Sequence, residues 1–361
     1  MHINNLKVAL VHDDLVQWGG AERVLEGLTK IFPQAPIYTS FIDYQNSEIA
    51  KRFSNQKIYT SFLQKIPGIK IMYKAVLPLY SLAFEQFDFS TYDLVFSQST
   101  RFAKCIITKP KTLHVSYCHT PPRFLWNLSK EKVNKLLNPI LSFLRISDQI
   151  FSQRVDRFLA GSKNAQDRIK KIYKRDSDVL YPFIDFSRFE GVDRFDGGYF
   201  VVIARLNFYK RVDLVIKASQ KLNIPLKIIG SGSQKDELIK LSESKLTNVE
   251  FLENLPDEIV IKILAGCKAL IVPGIEDFGI SSLEAQALGK PVIAYKEGGV
   301  LETVTQKTGI FFKEQTVESL INAMEKLEKM KINPNNCIEN ARHFSFENFE
   351  ENLNLLLRLD S

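Results

Sequence analysis

Short apolar runs alternate along this chain with stretches whose apolar positions recur at helical spacing. Residues 7–12 predict a first strand buried on both faces. The polar loop DDLVQWGG follows, and then AERVLEGLTKIF, where Val24, Leu25, Leu28 and Ile31 fall on one helical face. Further strands are predicted at 93–97, 114–118 and 158–160. Residues 181–194 are polar, carry a proline and show no period, which predicts a linker. Alternation then restarts with FVVIA (200–204), LKIIG (226–230), VEFLE (249–253), ALIVP (269–273) and PVIAY (291–295), each followed by a helical pattern. Strand-helix alternation of this kind implies parallel sheets covered on both faces, so the expectation is two doubly wound α/β domains. Ligands in such sheets bind beyond the carboxyl ends of the strands, which directs attention to the loops that follow them.

A length of 361 residues with 45% hydrophobic content suits two cores. The apolar runs are too short to span a bilayer and the first residues lack a leader pattern, so the expected location is cytoplasmic. Four scattered cysteines without Cys-x-x-Cys spacing predict reduced thiols and no structural metal. The net charge of +7 is uneven: residues 1–190 carry 27 Lys and Arg against 17 Asp and Glu, and the remainder carries 21 against 24. A basic first half suits an anionic partner. No nucleic-acid-binding pattern is present, which puts an anionic membrane surface or a phosphorylated acceptor ahead of nucleic acid, with plain solubility as the alternative. The stretch IPGIKIMYKAVLPLYSLAFEQF, punctuated by Lys65, Lys70 and Lys74, is a candidate membrane contact or else a buried helix pair with snorkelling lysines.

Four loops carry candidate chemistry. Gly19 and Gly20 open a helix directly after the first strand, where paired glycines admit a ligand to backbone amides, or simply make a tight turn. In ARLNFYKR, Arg205 follows a buried strand and Lys210 is placed at the start of the next helix. Two cations there suit a diphosphate and the charge that grows on it as it leaves. Gly230-Ser231-Gly232 would let a nucleotide pass close to backbone, or form a plain turn. In PGIEDFGISSLEAQALGKP, Glu276 and Glu284 stand eight positions apart around Phe278, Gly279 and Ile280, with the helix expected to be capped at Ser281. That spacing can aim both carboxylates into one pocket, but Ser281-Ser282-Leu283-Glu284 also matches a capping box. The Asp-x-Asp at 176–178 precedes a strand instead of following one and reads as a solvated loop. A dehydrogenase would need Gly-x-Gly-x-x-Gly after the first strand, which is missing here.

Together, GGAER, YCHTPPRFLW, ARLNFYKR and the Glu-x7-Glu of EDFGISSLEA resemble glycosyltransferase family 4, the retaining enzymes of GT-B architecture, over nearly the whole chain. Within it, HDDLVQWGGAER and HTPPRFLW look most like bacterial GDP-mannose-dependent mannosyltransferases of O-antigen or exopolysaccharide synthesis. The resemblance implies an acceptor domain over 1–190, a nucleotide-sugar domain over 191–342 facing it across a cleft, and a last helix over 343–361 that crosses back. It implies that Glu276 holds the donor sugar's hydroxyls and Glu284 the ribose hydroxyls, while Phe278, Gly279, Ile280 and Gly230 present backbone to the donor. Arg205 and Lys210 would grip the diphosphate, Gly19 and Gly20 would line the donor phosphate and acceptor side, and His119 would contact the transferred sugar. Arg123 and Trp126 are acceptor candidates. No metal or other cofactor is implied beyond the nucleotide-sugar. A UDP-sugar or GDP-fucose donor is the alternative, since Phe251-Leu252-Glu253 replaces the family's common Phe-Leu-Gly; a further one is a non-catalytic nucleotide-sugar binder, which would be expected to have lost one of Arg205, Lys210, Glu276 or Glu284.

Overall fold

The computed structural model describes residues 6–73, 75–128, 138–243 and 248–358. They form two compact units, one of Met1–Pro182 with Phe349–Ser361 and one of Phe183–Asn348.

The first unit is built on seven strands: β1 (Val8–His12), β2 (Ile37–Thr39), β3 (Ile58–Thr60), β4 (Leu94–Ser99), β5 (Leu113–Cys118), β6 (Arg157–Ala160) and β7 (Ser177–Val179). All pair in parallel in the order β3-β2-β1-β4-β5-β6-β7. Every residue of β1 and β4 is buried, as central strands covered on both faces require. The helix Gly20–Ile31 buries Val24, Leu25 and Leu28, the face its spacing predicts. Strand order reverses between β1 and β4, so the loops after these two strands diverge and leave a crevice at their carboxyl ends. Phe349 packs edge-on against Tyr117 and Arg157 donates to the carbonyl of Leu356, so the end of the last helix, Phe346–Arg358, is held in this unit.

The second unit has six parallel strands: β8 (Tyr199–Ile203), β9 (Leu226–Ile229), β10 (Val249–Leu252), β11 (Cys267–Val272), β12 (Val292–Tyr295) and β13 (Gly309–Phe312). Their order is β10-β9-β8-β11-β12-β13, with the reversal between β8 and β11. The loops after those two strands are ARLNFYKR and PGIEDFG.

Three local expectations are corrected. Residues 176–178 are a solvated loop only at Asp176: Ser177 and Asp178 lie in edge strand β7, and Asp178 accepts from Arg157 Nε at 3.1 Å and Nη2 at 2.9 Å. Lys210 does not start a helix. It closes a 3-10 turn, Phe208–Lys210, and the helix Val212–Leu222 begins only after Arg211, which adopts a left-handed φ of 53°. The helix expected to be capped at Ser281 is capped by Gly279 at φ 95° and runs Ile280–Ala287. An αL cap suits glycine, and with the start at Gly279 the serine-glutamate capping box does not form. Lys74 lies outside the described residues.

Candidate functional site

In the second unit the reversal of strand order places the two predicted loops side by side, and glycines let them touch. A Cβ on Gly274 would lie 2.7 Å from both Lys210 Cα and the Tyr209 carbonyl oxygen, so only glycine permits this approach of backbone to backbone. The result is an ion pair across the two loops: Lys210 Nζ donates to Glu276 Oε2 at 2.5 Å, with both side chains largely buried. Glu276 is held from behind, since its carbonyl accepts from the Gly299 amide at 2.9 Å and its backbone bridges to Gly298. Arg205, one loop residue beyond Ala204, is exposed. Its loop leans on the turn after β9, where a Cβ at Gly230 would fall 2.0 Å from the Ala204 carbonyl oxygen. Packing alone therefore requires Gly230.

Glu284 lies one turn inside the helix that Gly279 caps. It is buried, and its Oε1 accepts from Arg188 Nη1 at 2.7 Å. Arg188 also donates through Nε and Nη2 to Asp257 Oδ2, at 2.9 Å each. Phe278 turns its side chain into the core against Phe344, leaving the backbone of 278–280 at the positive helix end. Gln286 and Asn340 fix the far side of this helix: Asn340 Nδ2 donates to Gln286 Oε1 at 2.7 Å, and Gln286 donates to the Thr303 carbonyl.

In the first unit, Gly19 is the N-cap of its helix and Gly20 its first residue. Gln98 Nε2 donates both to the Ala21 carbonyl, at 2.5 Å, and to His119 Nε2, at 2.7 Å. The carbonyl fixes which end of the amide is nitrogen, so His119 Nε2 accepts and its proton sits on Nδ1. One buried side chain thus ties the glycine helix start to His119. Trp126 donates its indole N–H to Asp148 Oδ2 at 2.7 Å, and Arg123 lies in the same turn. The polar edge of Trp126 therefore faces inward, into the unit that holds it.

Around these residues stands a charged set that the periodicity did not single out. Asp13, buried after β1, accepts from the amides of Thr100, Arg101, Phe102 and Ala103 and from the Thr100 hydroxyl. Burial alone would push its carboxyl up, but Arg101, His12 and these amides bring it below the usual carboxylate range. Burial pushes neighbouring Asp14 the other way despite its contact with Arg101. Burial would lower His12, yet Glu22, 3.7 Å away, raises it. Asp13-Asp14 directly after a central strand was the available signal. Arg188 gave none, since it lies in the aperiodic stretch read as linker.

Residues 184–344 match a family model described as glycosyl transferases group 1. The chain is 26% identical to alpha-1,3/1,6-mannosyltransferase ALG2 of Dictyostelium discoideum, across 98% of each sequence. It is 22% identical to O-antigen chain mannosyltransferase C of Escherichia coli, across 90% of this chain and 89% of that protein. In fold it matches HepE of Anabaena in complex with UDP and glucose, with a TM-score of 0.73 at 18% identity over 98% of this chain and all of the other.

Proposed function

We propose that this chain, which carries a group 1 glycosyltransferase domain over residues 184–344 and two Rossmann-like units of the GT-B kind, transfers mannose from GDP-mannose, with retention, to a saccharide or lipid-linked saccharide in cell-surface polysaccharide synthesis. The observation that carries the reading is the Lys210–Glu276 pair, a cation and a carboxylate from the two loops at the reversal of strand order. In our reading Glu276 accepts hydrogen bonds from the sugar's hydroxyls. Lys210 turns to the diphosphate and, with Arg205, stabilises the charge that develops there. The bond from the sugar's anomeric carbon to the phosphate oxygen breaks as the acceptor oxygen bonds to that carbon on the same face. The acceptor's proton passes to the departing phosphate oxygen. The two cations supply the charge neutralisation without a metal. Glu284 takes the ribose hydroxyls, and Gly279 and Ile280 turn amides toward the phosphates. To the first unit we assign the acceptor side, with Gly19, Gly20, His119, Arg123 and Trp126.

Mannosyltransferases among the relatives favour GDP-mannose, while the nucleotide in the HepE structure keeps a UDP-sugar as the second reading. Turnover against a panel of GDP-mannose, GDP-fucose and UDP-glucose decides between them. Turnover with UDP-glucose alone would overturn the donor assignment.

We also place the first unit against an anionic membrane. Among the described residues no helix is long and apolar enough to cross one. Ile71 is 88% exposed, and Met72, Leu79 and Leu82 are exposed beside it in sequence. The helix Asn138–Ser152 turns Leu141 and Leu144 inward and leaves Ile140, Phe143, Ile146 and Ile150 facing out. Leu77 packs against the core cluster that holds this inward pair, which brings the two segments near each other. The basic balance of the first half suits anionic headgroups. Sedimentation with phosphatidylglycerol vesicles at low salt should bring the protein down, and its absence from the pellet would sink this placement.

A further inference from the structure

Glu284 is not held by its own helix. Its Oε1 accepts from Arg188, 96 positions earlier, while Oε2 has no hydrogen bond to a described residue. Arg188 itself is tightly fixed. It sits in the 3-10 turn Phe186–Phe189, whose cap Asp185 accepts from the Ser187 amide at 3.1 Å and hydroxyl at 2.6 Å. Its guanidinium lies 5.1 Å from the Phe189 ring centroid and spends Nε and Nη2 on Asp257. Arg188, Glu284 and Asp257 expose 16%, 12% and 24% of their side chains, so water competes poorly for these contacts. A planar guanidinium bonded on two edges holds one oxygen of each carboxylate it touches, Oε1 of Glu284 and Oδ2 of Asp257, and leaves the other oxygen of Glu284 for a ligand.

We propose that Arg188, braced by Asp257, is a positioning residue that aims Oε2 of Glu284 at the vicinal hydroxyls of the donor's ribose, and so makes the site select ribonucleotides. The proposal rests on the reading of Glu284 as the ribose ligand and adds what holds it. Because Arg188 divides its charge between two carboxylates, Glu284 keeps enough acceptor strength for a hydroxyl. Without Arg188 the carboxylate would stand buried and unpaired and would turn away toward water.

Calorimetric binding of GDP and of 2′,3′-dideoxy-GDP separates positioning from general folding. Should the donor panel select uridine, the UDP pair replaces them. Wild type should prefer the ribonucleotide by about tenfold to a hundredfold, the range of a hydrogen bond to a charged group. Arg188→Gln should weaken GDP by that factor and leave the dideoxy compound unchanged, erasing the preference. Asp257→Asn should erode it part of the way. Arg188→Lys, which cannot bridge two carboxylates in a plane, should do the same and serves if the glutamine variant fails to fold. A variant that weakens both nucleotides equally, or neither, while Glu284→Gln erases the preference, overturns the proposal. If Glu284→Gln leaves the preference intact, the ribose role of Glu284 is wrong and the proposal falls with it.

Discussion

Lys104 and Asp148 form an ion pair from which water is excluded, with 2% and 0% of their side chains exposed. Asp148 also accepts from Trp126 Nε1 at 2.7 Å and from the Tyr173 hydroxyl at 2.9 Å, and the Lys104 ammonium lies 5.4 Å from the Tyr173 ring centroid. Burial by itself would lower the lysine, but Asp148 raises it above its ordinary value, so the ammonium keeps its charge. Removing one partner leaves the other charge buried and unpaired. Lys104→Met and Asp148→Asn should each cost about 3–5 kcal/mol. The double variant should cost less than the two combined, as read from urea unfolding. Additive losses would show that the two groups are not coupled.

Lys210→Ala should lower kcat by about a hundredfold to a thousandfold, the scale for losing a group that stabilises developing charge. KM for the donor should change far less. Glu276→Gln should lower kcat/KM with the larger part in KM if its carboxylate holds the sugar in the ground state. Steady-state kinetics with the preferred donor separates the two.

Gly274 touches no proposed ligand, yet Gly274→Ala should reduce turnover. Its new methyl would meet Lys210 Cα at 2.7 Å and force apart the loops that carry Lys210 and Glu276. Overpacking of this size costs about 1–3 kcal/mol. A fall in kcat larger than the fall in melting temperature explains would confirm that the loops have moved. Unchanged turnover would show that their spacing does not matter.

Two buried histidines give stability opposite pH dependences. Burial, reinforced by the Lys104 charge, holds His114 down at about 4, where its ring accepts from Ser97 and faces the Arg154 carbonyl. Below the ordinary 6.5 the unfolded chain takes up a proton that the folded chain refuses. Stability should therefore fall from that pH down toward about 4, by about 3 kcal/mol, and His114→Gln should flatten this limb. His12 is raised instead: burial would lower it, but Glu22, Asp13 and Asp14 together outweigh that. Its contribution is complete below 6.5 and is lost as pH rises through the raised value. His12→Gln should flatten the alkaline limb, and unfolding free energy measured against pH reads both.

Two central strands were legible because each is built on an unbroken apolar run, residues 8–11 and 269–272, buried on both faces. The three-residue strands Ile37–Thr39, Ile58–Thr60 and Ser177–Val179 were not, since three residues carry too little period and Ser177 and Asp178 are polar. Lys210 and Glu276 were legible as chemistry, though not as a contact, because their meeting depends on the order of strands and on Gly274. The cap at Gly279 was missed because the serine run offered a stronger local pattern than a lone glycine. Arg188 was invisible for a different reason. Its significance comes from a partner 96 residues away, and nothing in the Phe186–Phe189 turn announces it.

Under the roles proposed for them, the closed pair of Lys210 and Glu276 would make the resting site a coincidence detector. A phosphate arriving alone draws off the lysine and strands the carboxylate; a free sugar engages the carboxylate and strands the lysine. Only a molecule that carries hydroxyls and phosphate oxygens on one frame satisfies both halves together. Mannose and inorganic phosphate, offered separately, should therefore each inhibit far more weakly than their chemistry within the intact donor suggests.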